Sequence, residues 1–159
     1  MKIKKALITL ADPNQRSLPL QTLVDQSGKK RSALELILEE TVAAGIDEIG
    51  IIACPNSQDS YSEAAGAYAN RIHFIIQDKP NGYAQAILLG EAFTGGEAFL
   101  HLVGDHLCVS KHGYNCAKQV MDAAAHNNAS ASGVQSTKES QIASFGSVGG
   151  HLVNRNERI

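Results

Sequence analysis

Four short apolar runs alternate with helical patterns along this chain of 159 residues, and that alternation constrains the fold more than any other feature. Short apolar runs of this kind are predicted to be buried strands, and they lie at residues 5–11, 48–54, 71–77 and 98–103. Helical patterns follow at residues 32–45, 60–68, 82–92 and 114–126. Alternation at this spacing is typical of βαβ units. The sequence therefore predicts an α/β fold, with a mostly parallel sheet covered by helices on both faces.

Local signals mark where several helices begin or end. Ser32 and Glu35 form a capping-box pattern that predicts the start of the first helix. Gly45 stands where a left-handed residue would end that helix. A second capping-box pattern, Ser60 with Glu63, predicts the start of the next helix.

The C-terminal part of the chain is predicted to add extended structure to the same domain. Residues 129–134 are expected to form a short strand, and residues 145–153 one arm of a hairpin whose turn lies at 154–158. The partner arm would follow Ile159, the last residue of this sequence. A chain of this length buries a sizeable core. We therefore expect one α/β domain over residues 1–159 that is incomplete at its C-terminus.

Composition argues for a folded protein in a reducing compartment. Hydrophobic residues make up 43% of the chain and charged residues 19%, with a net charge of -2, which argues against disorder and against nucleic acid or an anionic membrane as partners. Cys54, Cys108 and Cys116 fit neither a disulfide framework nor a zinc pattern. A cytoplasmic location is expected. The basic N-terminus is followed by too few apolar residues for a membrane span, and it is interpreted as the first strand.

Two of the predicted strands end in residues suited to ligand binding. Gln77 presents a hydrogen-bond donor and an acceptor together, which suits the imide edge of a pyrimidine, and Gly82 lets a flat ligand approach the backbone. Asp105 follows the fourth strand and Gly104, where a carboxylate is well placed to hold Mg²⁺. An ordinary turn and a turn-capping aspartate are the alternative interpretations. Because parallel strands end at a shared edge, a common crevice is expected.

The loop after the first strand and the histidines supply weaker candidates. Arg16 would neutralise phosphate oxygens, or would simply be an exposed loop arginine. No glycine lies between Leu10 and Leu20, so this loop is a poor cradle for phosphate on physical grounds. The histidines invite a metal interpretation, especially His101, His106 and His112. No helical His-x-x-x-His accompanies them, so a zinc site is not expected.

In chain order, the motifs resemble those of the sugar-1-phosphate nucleotidylyltransferases, especially the glucose-1-phosphate uridylyl- and thymidylyltransferases. Residues 77–86, QDKPNGYAQA, resemble the family's Q-x-x-P-x-G-x-A-x-A, and residues 102–106, LVGDH, resemble its L-x-G-D-x metal motif. Residues 39–46, EETVAAGI, resemble the end of its first helix. The strand at 5–11 stands before the family's glycine-rich A-A-G-x-G-x-R loop, with Arg16 on the arginine of that loop. Phe145 and Gly146 resemble the aromatic–glycine pair that approaches the sugar.

The resemblance implies a Rossmann-like, three-layer αβα fold of the nucleotide-diphospho-sugar transferases that binds UTP or dTTP and a sugar 1-phosphate. The implied reaction is attack by a sugar-1-phosphate oxygen on the α-phosphorus, with release of pyrophosphate. The implied nucleotide-binding residues are Leu10, Ala11, Gln77, Gly82 and Gly104. Arg16 and Asp105 are the implied catalytic residues, with Mg²⁺ as cofactor bound by Asp105, and Gly146 is the implied sugar contact. The resemblance also leaves room for a homo-oligomer.

This chain departs from the family pattern at the phosphate loop. Asp12 and Asn14 stand where the family has glycines, with Pro13 between them, and the family's P-K-x-L lysine has no clear equivalent. The family's E-K-P motif and second metal carboxylate have no counterpart within the 159 residues. Three hypotheses follow. The chain is the N-terminal part of an active enzyme, or a non-catalytic homologue that binds a nucleotide or sugar nucleotide or serves as a regulatory or interaction module, or an unrelated α/β domain that binds another mononucleotide.

Overall fold

A computed structural model describes residues 2–12, 14, 16–25, 27–110 and 113–151 of the chain. Within these residues the strands are β1 Lys5–Leu10, β2 Thr22–Val24, β3 Lys30–Ser32, β4 Glu48–Ala53, β5 Ile72–Ile76 and β6 Phe99–Val103. The α-helices are α1 Ala33–Ala43, α2 Gln58–Ala65, α3 Tyr83–Leu89, α4 Glu91–Thr94 and α5 Cys116–Asn127. Short 3₁₀ turns lie at Leu18–Leu20, Gly66–Arg71 and Glu139–Ser144. Among the described residues, no helix is long and apolar enough to cross a membrane.

Four parallel strands form the central sheet, in the order β5-β4-β1-β6. After β1 the chain adds β4 and then β5 on one side, and it then crosses to place β6 on the other side of β1. The topological switch point therefore lies between β1 and β6, where a crevice opens beyond the carboxyl ends of the strands in folds of this type. The α/β class with a mostly parallel sheet is confirmed.

Alternating apolar side chains on the strands give the sheet two buried faces. On β1, Ala6, Ile8 and Leu10 belong to the core that packs against α1, α2 and α5, while Leu7 belongs to a smaller core that includes Ala86 of α3. Leu7 and Ile8 are completely buried, and such burial stabilises a fold by about 1.5–3 kcal/mol per large aliphatic side chain. The helices on both faces complete the predicted three layers.

The predicted start of α1 is confirmed, and its cap also ties α1 to α2. Ser32 Oγ accepts a hydrogen bond from the Glu35 backbone N–H at 2.8 Å and donates to the Ala64 carbonyl at 2.6 Å. The Glu35 carboxylate pairs with Arg31 Nε at 3.2 Å. Gly45 follows the helix with a φ of 95°, the left-handed conformation expected there.

The predicted start of α2 at Ser60 is wrong. The helix begins at Gln58 and ends at Ala65, so Ser60 lies inside it, and Gly66–Arg71 continues as a 3₁₀ turn. Ser57 stands at the N-cap and donates through its hydroxyl to the Cys54 carbonyl at 2.6 Å. This contact joins the start of α2 to the turn that follows β4.

Other differences concern short or weakly apolar segments. The helix predicted at 82–92 is divided at Gly90 into α3 and α4, and the β2–β3 hairpin was not predicted. Residues 129–134 and 145–151 form no strand and are exposed, so the strand and hairpin arm predicted there are wrong within the described residues. Their small and polar side chains offer little apolar area to bury. The rest of that predicted hairpin, 152–158, lies outside the described residues.

Candidate functional site

Most of the predicted site residues lie on one side of the sheet, where the carboxyl ends of the four parallel strands meet. Leu10 and Ala11 end β1, Gln77 follows β5, and Gly104 and Asp105 follow β6. Hydrogen bonds extend the strand alignment into these ends, since Gln77 N–H donates to the Ala53 carbonyl at 2.9 Å and Gly104 N–H donates to the Thr9 carbonyl at 3.1 Å. The predicted common edge is therefore present in the fold.

Gln77 is a buried amide whose orientation is set by the helix that follows it. The residue is only 5% exposed, and its Nε2 donates to Oε1 of Gln85 on α3. This contact takes one of the two N–H groups of the amide, so the side chain keeps further hydrogen-bonding capacity at the end of β5. The orientation of the amide is therefore fixed, and its contact with a base stays a prediction.

Gly82 gives the loop before α3 a backbone conformation that other residues rarely adopt. Its φ is 100°, and no heavy atom beyond its chain neighbours lies within 4 Å of the position that a Cβ would take. The residue is exposed and caps α3. Space over the backbone, with a φ that favours glycine, leaves this loop open to close approach by a flat ligand.

Gly104 packs against the end of β1. A Cβ on Gly104 would lie 1.6 Å from Cδ2 and 2.7 Å from Cγ of Leu10. Glycine here lets the Leu10 side chain cross directly over the backbone that follows β6. Leu10 and Gly104 are thus brought together as a packing pair, and their predicted contact with a nucleotide stays a prediction.

Asp105 lies beyond the end of β6, next to the first turn of α3. Its Oδ1 is 2.5 Å from Nδ1 of His106, and the Asp105 side chain is 21% exposed. Burial and the nearby Asp105 charge raise the pKa of the Tyr83 phenol on α3. The carboxylate therefore lies within electrostatic range of the helix that carries the Gln77 contact.

Tyr83 and His101 form a further contact at this edge that no sequence motif indicated. The Tyr83 hydroxyl lies 3.1 Å from His101 Nδ1, and the two rings meet edge to face at 78°. His101 also lies 3.4 Å from Thr9 Oγ1 through Nε2, and its burial lowers the pKa of the imidazole. No local sequence pattern predicts this contact, because the residues come from a loop–helix junction and a strand.

Tyr61 of α2 fixes the loop after β1. Tyr61 is completely buried, and its hydroxyl donates to the Leu10 carbonyl at 3.3 Å and the Arg16 carbonyl at 3.2 Å. Burial is the main reason that the pKa of Tyr61 rises to about 12, so its hydroxyl keeps its proton and donates at neutral pH. No pattern in the sequence signals this anchor.

Cys54 lies between the loop and the end of β4. Its thiol donates to the Ala11 carbonyl at 3.2 Å. Burial raises the pKa of the thiol, the Arg16 charge lowers it and the Asp12 charge raises it. Arg16 and Asp12 are therefore both within electrostatic range of the ends of β1 and β4, where the resemblance places phosphate.

The phosphate loop itself is turned by Asp12. The Asp12 carboxylate accepts a hydrogen bond from the Asn14 backbone N–H at 2.8 Å, the pattern of an Asx turn. Pro13 and Gln15 lie outside the described residues. The aspartate closes its own loop with a bond that a glycine in the same place does not make.

Gly146 is not brought to the strand ends by any contact of the described residues. It is exposed, and the space that a Cβ would occupy is open, with no heavy atom beyond its chain neighbours within 4 Å. Its sugar contact stays a prediction. Across residues 2–12, 14, 16–25, 27–110 and 113–151 no cluster of three or more His, Cys, Asp or Glu side chains is arranged to hold a metal ion, and His112 lies outside these ranges.

Comparison with protein families places most of the chain in one of them. Residues 20–155 match the model of the nucleotidyl transferase family. The chain is 27% identical to a UTP–glucose-1-phosphate uridylyltransferase of Bacillus subtilis strain 168, over 99% of this chain and 63% of that protein. It is 24% identical to a UTP–glucose-1-phosphate uridylyltransferase of Streptococcus pneumoniae serotype 4, over 91% of this chain and 58% of that protein. The chain thus spans about three fifths of the length of these curated relatives.

Solved structures of similar fold support the architecture. A UDP-glucose pyrophosphorylase complexed with UDP-glucose superposes with a TM-score of 0.61 at 23% identity, covering 80% of this chain and 55% of that one. The apo form of a UDP-glucose pyrophosphorylase gives a TM-score of 0.65 at 20% identity, covering 80% of this chain and 56% of that one. At these identities the likeness shows the fold alone.

Proposed function

We propose that this chain, which belongs to the nucleotidyl transferase family, binds UTP beside a sugar 1-phosphate for uridylyl transfer. Within that family it resembles the N-terminal part of the sugar-1-phosphate nucleotidylyltransferases. dTTP is the alternative nucleotide. The observation that carries the proposal is Gln77, a buried and oriented amide that follows β5 and begins the loop that ends at the open backbone of Gly82. A donor–acceptor pair next to bare backbone suits the imide edge of a pyrimidine.

We infer one arrangement of the substrates at the strand ends. The base would contact Gln77 and Gly82, and the ribose and phosphates would extend past Leu10 and Ala11 toward Asp105. A sugar-1-phosphate oxygen would attack the α-phosphorus, the bond from that phosphorus to the β-phosphate oxygen would break, and pyrophosphate would leave. The Arg16 guanidinium, near Cys54 and the end of β1, would neutralise phosphate charge in this reaction.

Asp105 fits the part of an Mg²⁺ ligand that a nucleotide site requires. Mg²⁺ at such sites is commonly held by one or two carboxylates together with substrate phosphates rather than by an all-protein cage. One partly exposed carboxylate at the switch point matches that donor set, and the described residues hold no larger acidic cluster. When bound, the ion would supply neutralisation of the phosphate charge.

Nucleotide titration tests the binding half of the proposal. Calorimetry with UTP and Mg²⁺ should give saturable binding, and Gln77→Ala should weaken it about tenfold, the loss expected when a polar group of the ligand is left without its partner. Gln119→Ala is the matched control, because Gln119 is a surface amide that bonds to the Tyr114 carbonyl from α5. Absence of binding to UTP, dTTP and UDP-glucose would exclude a nucleotide site. Equal effects of both variants would exclude Gln77 as the base contact.

Pyrophosphate release separates the enzyme from a second candidate, a homologue that binds nucleotide without turnover. Asp12, whose carboxylate forms an Asx turn with Asn14, supports that second candidate, because a carboxylate would repel the triphosphate that the resemblance assigns to this loop. With UTP and glucose 1-phosphate we expect little or no pyrophosphate from the 159-residue chain alone, which spans 63% of its Bacillus relative. Robust turnover that Asp105→Ala leaves unchanged would contradict the proposed role of Asp105.

A further inference from the structure

The first turn of α3 is held to both edge strands of the parallel sheet. On one side, Gln85 accepts a hydrogen bond from Gln77, which follows β5. On the other side, the Tyr83 hydroxyl lies 3.1 Å from Nδ1 of His101, which is part of β6. Since the strand order is β5-β4-β1-β6, these two contacts reach across the whole width of the sheet.

The His101 imidazole is positioned to accept from Tyr83 while it contacts β1. Its Nε2 lies 3.4 Å from Thr9 Oγ1. The Tyr83 hydroxyl lies 3.1 Å from Nδ1 and 3.3 Å from Nε2 of this ring, so a neutral imidazole can accept the Tyr83 proton at its unprotonated nitrogen. The edge-to-face packing of the rings, with centroids 5.5 Å apart, adds a second reason for this orientation.

The loop before α3 has little else to hold it. Residues 78–84 are exposed, and the backbone hydrogen bond from Asn81 N–H to the Lys79 carbonyl is local to the loop. Gly82 directly precedes Tyr83 and has the greatest backbone freedom in this segment. The Gly82 carbonyl accepts from the N–H of buried Ala86 at 3.2 Å, which joins Gly82 to α3, and the Tyr83 hydroxyl is the contact that joins this end of the loop to β6.

We propose that Tyr83 is a positioning residue that, through His101, holds Gly82 and the loop at 77–82 at a fixed distance from Asp105. The residues that contact the base of a bound nucleotide would then keep a fixed separation from those near its phosphates, and the Tyr83 hydroxyl contact would maintain that separation. The identity of the ligand rests on the proposed function; the positioning of the loop does not.

Tyr83→Phe tests the contact with little loss of packing, because Tyr83 is 55% exposed and only its hydroxyl is removed. Tyr114→Phe is the matched control. Tyr114 is 46% exposed and its hydroxyl donates to Asp122 on α5 at 2.6 Å. In calorimetry with UTP and Mg²⁺, Tyr83→Phe should raise Kd about threefold to tenfold, the change expected for one lost neutral hydrogen bond. Tyr114→Phe should leave Kd within about twofold.

Substitutions at His101 separate positioning from a general loss of stability. His101→Gln keeps a donor and an acceptor and should retain most of the affinity, whereas His101→Leu should weaken UTP binding as Tyr83→Phe does. In the His101→Leu background, Tyr83→Phe should have no further effect, because the contact is already lost. Additive effects of the two substitutions would overturn the proposal.

Hydrogen exchange in the nucleotide-free protein tests the same contact without any ligand. The amides of residues 82–85 should exchange faster in Tyr83→Phe than in the wild type, and they should be unchanged in Tyr114→Phe. Unchanged exchange in Tyr83→Phe would overturn the positioning role. A wild-type protein that binds no nucleotide would instead overturn the proposed function, while the exchange comparison would still decide whether Tyr83 holds the loop.

Discussion

Gly104→Ala is expected to destabilise the fold through a steric conflict with one side chain. The new Cβ would lie 1.6 Å from Cδ2 and 2.7 Å from Cγ of Leu10, which is 6% exposed in the main core. Overpacking of this kind costs about 1–3 kcal/mol. Replacing glycine also restricts the unfolded chain, which raises the free energy of unfolding by about 0.4–1 kcal/mol. This gain applies here because Gly104 does not have a positive φ, so alanine can adopt its backbone conformation. The net loss of unfolding free energy should therefore be about 1–2 kcal/mol.

Urea unfolding followed by circular dichroism measures this loss and identifies its cause. Leu10→Ala alone should cost about 2–5 kcal/mol, because it leaves a cavity in the core. In that background Gly104→Ala should be neutral or slightly stabilising, which gives a coupling energy of about 1–3 kcal/mol between the two positions. Gly146→Ala is the control, since its surroundings are open and its effect should stay within about 0.5 kcal/mol. Equal costs of Gly104→Ala in both backgrounds would refute the steric explanation.

Two further predictions concern anchors of α1 and α2. Ser32→Ala should lower the unfolding free energy by about 1–2 kcal/mol, because it removes the α1 cap and leaves the Ala64 carbonyl without its donor. Urea unfolding measures this loss, with Ser147→Ala at an exposed position as the control. Equal urea midpoints for the two variants would contradict the prediction. Tyr61 has a pKa raised from 10.0 to about 12 in the fold, so its contribution to stability is fully present below pH 10 and is lost as the pH rises toward 12. In Tyr61→Phe the thermal unfolding midpoint should fall less between pH 10 and pH 12 than it does in the wild type. An equal fall in both proteins would show that groups other than Tyr61 cause the loss of stability.

The parallel strands could be predicted well because each is a continuous apolar run, which is what a strand buried on both faces requires. The β2–β3 hairpin escaped prediction because its strands have three residues each and Lys30–Ser32 is polar. The start of α2 was misplaced because the Ser60–Glu63 capping-box pattern lies inside the helix, whereas the N-cap is Ser57, whose side chain makes no capping hydrogen bond and bonds to the Cys54 carbonyl instead.

The candidate site shows the same contrast between features with a local sequence signal and features that depend on contacts between distant residues. Gln77, Gly104 and Asp105 could be proposed because each closely follows a strand whose end the sequence marks. No sequence pattern indicated the contacts of Tyr61, and the sequence suggested only a metal role for His101, because these residues contact Leu10 and Thr9, which lie 51 and 92 positions away in the chain. Such contacts depend on how the layers pack, and a single sequence carries no periodic signal for them.

The Tyr61 hydroxyl, which is shared between two backbone carbonyls, has a consequence for substitutions in the loop after β1. One phenol on α2 holds both the last residue of β1 and Arg16, so the path of the loop is encoded by a residue outside it. Substitutions inside the loop, such as Asp12 and Asn14 at positions where the resembling family has glycine, then change the chemistry of the loop while its two ends stay fixed. A change of the Asp12 or Asn14 side chain should therefore leave the ends of the loop in place, because the bonds from Tyr61 that hold them go to backbone carbonyls.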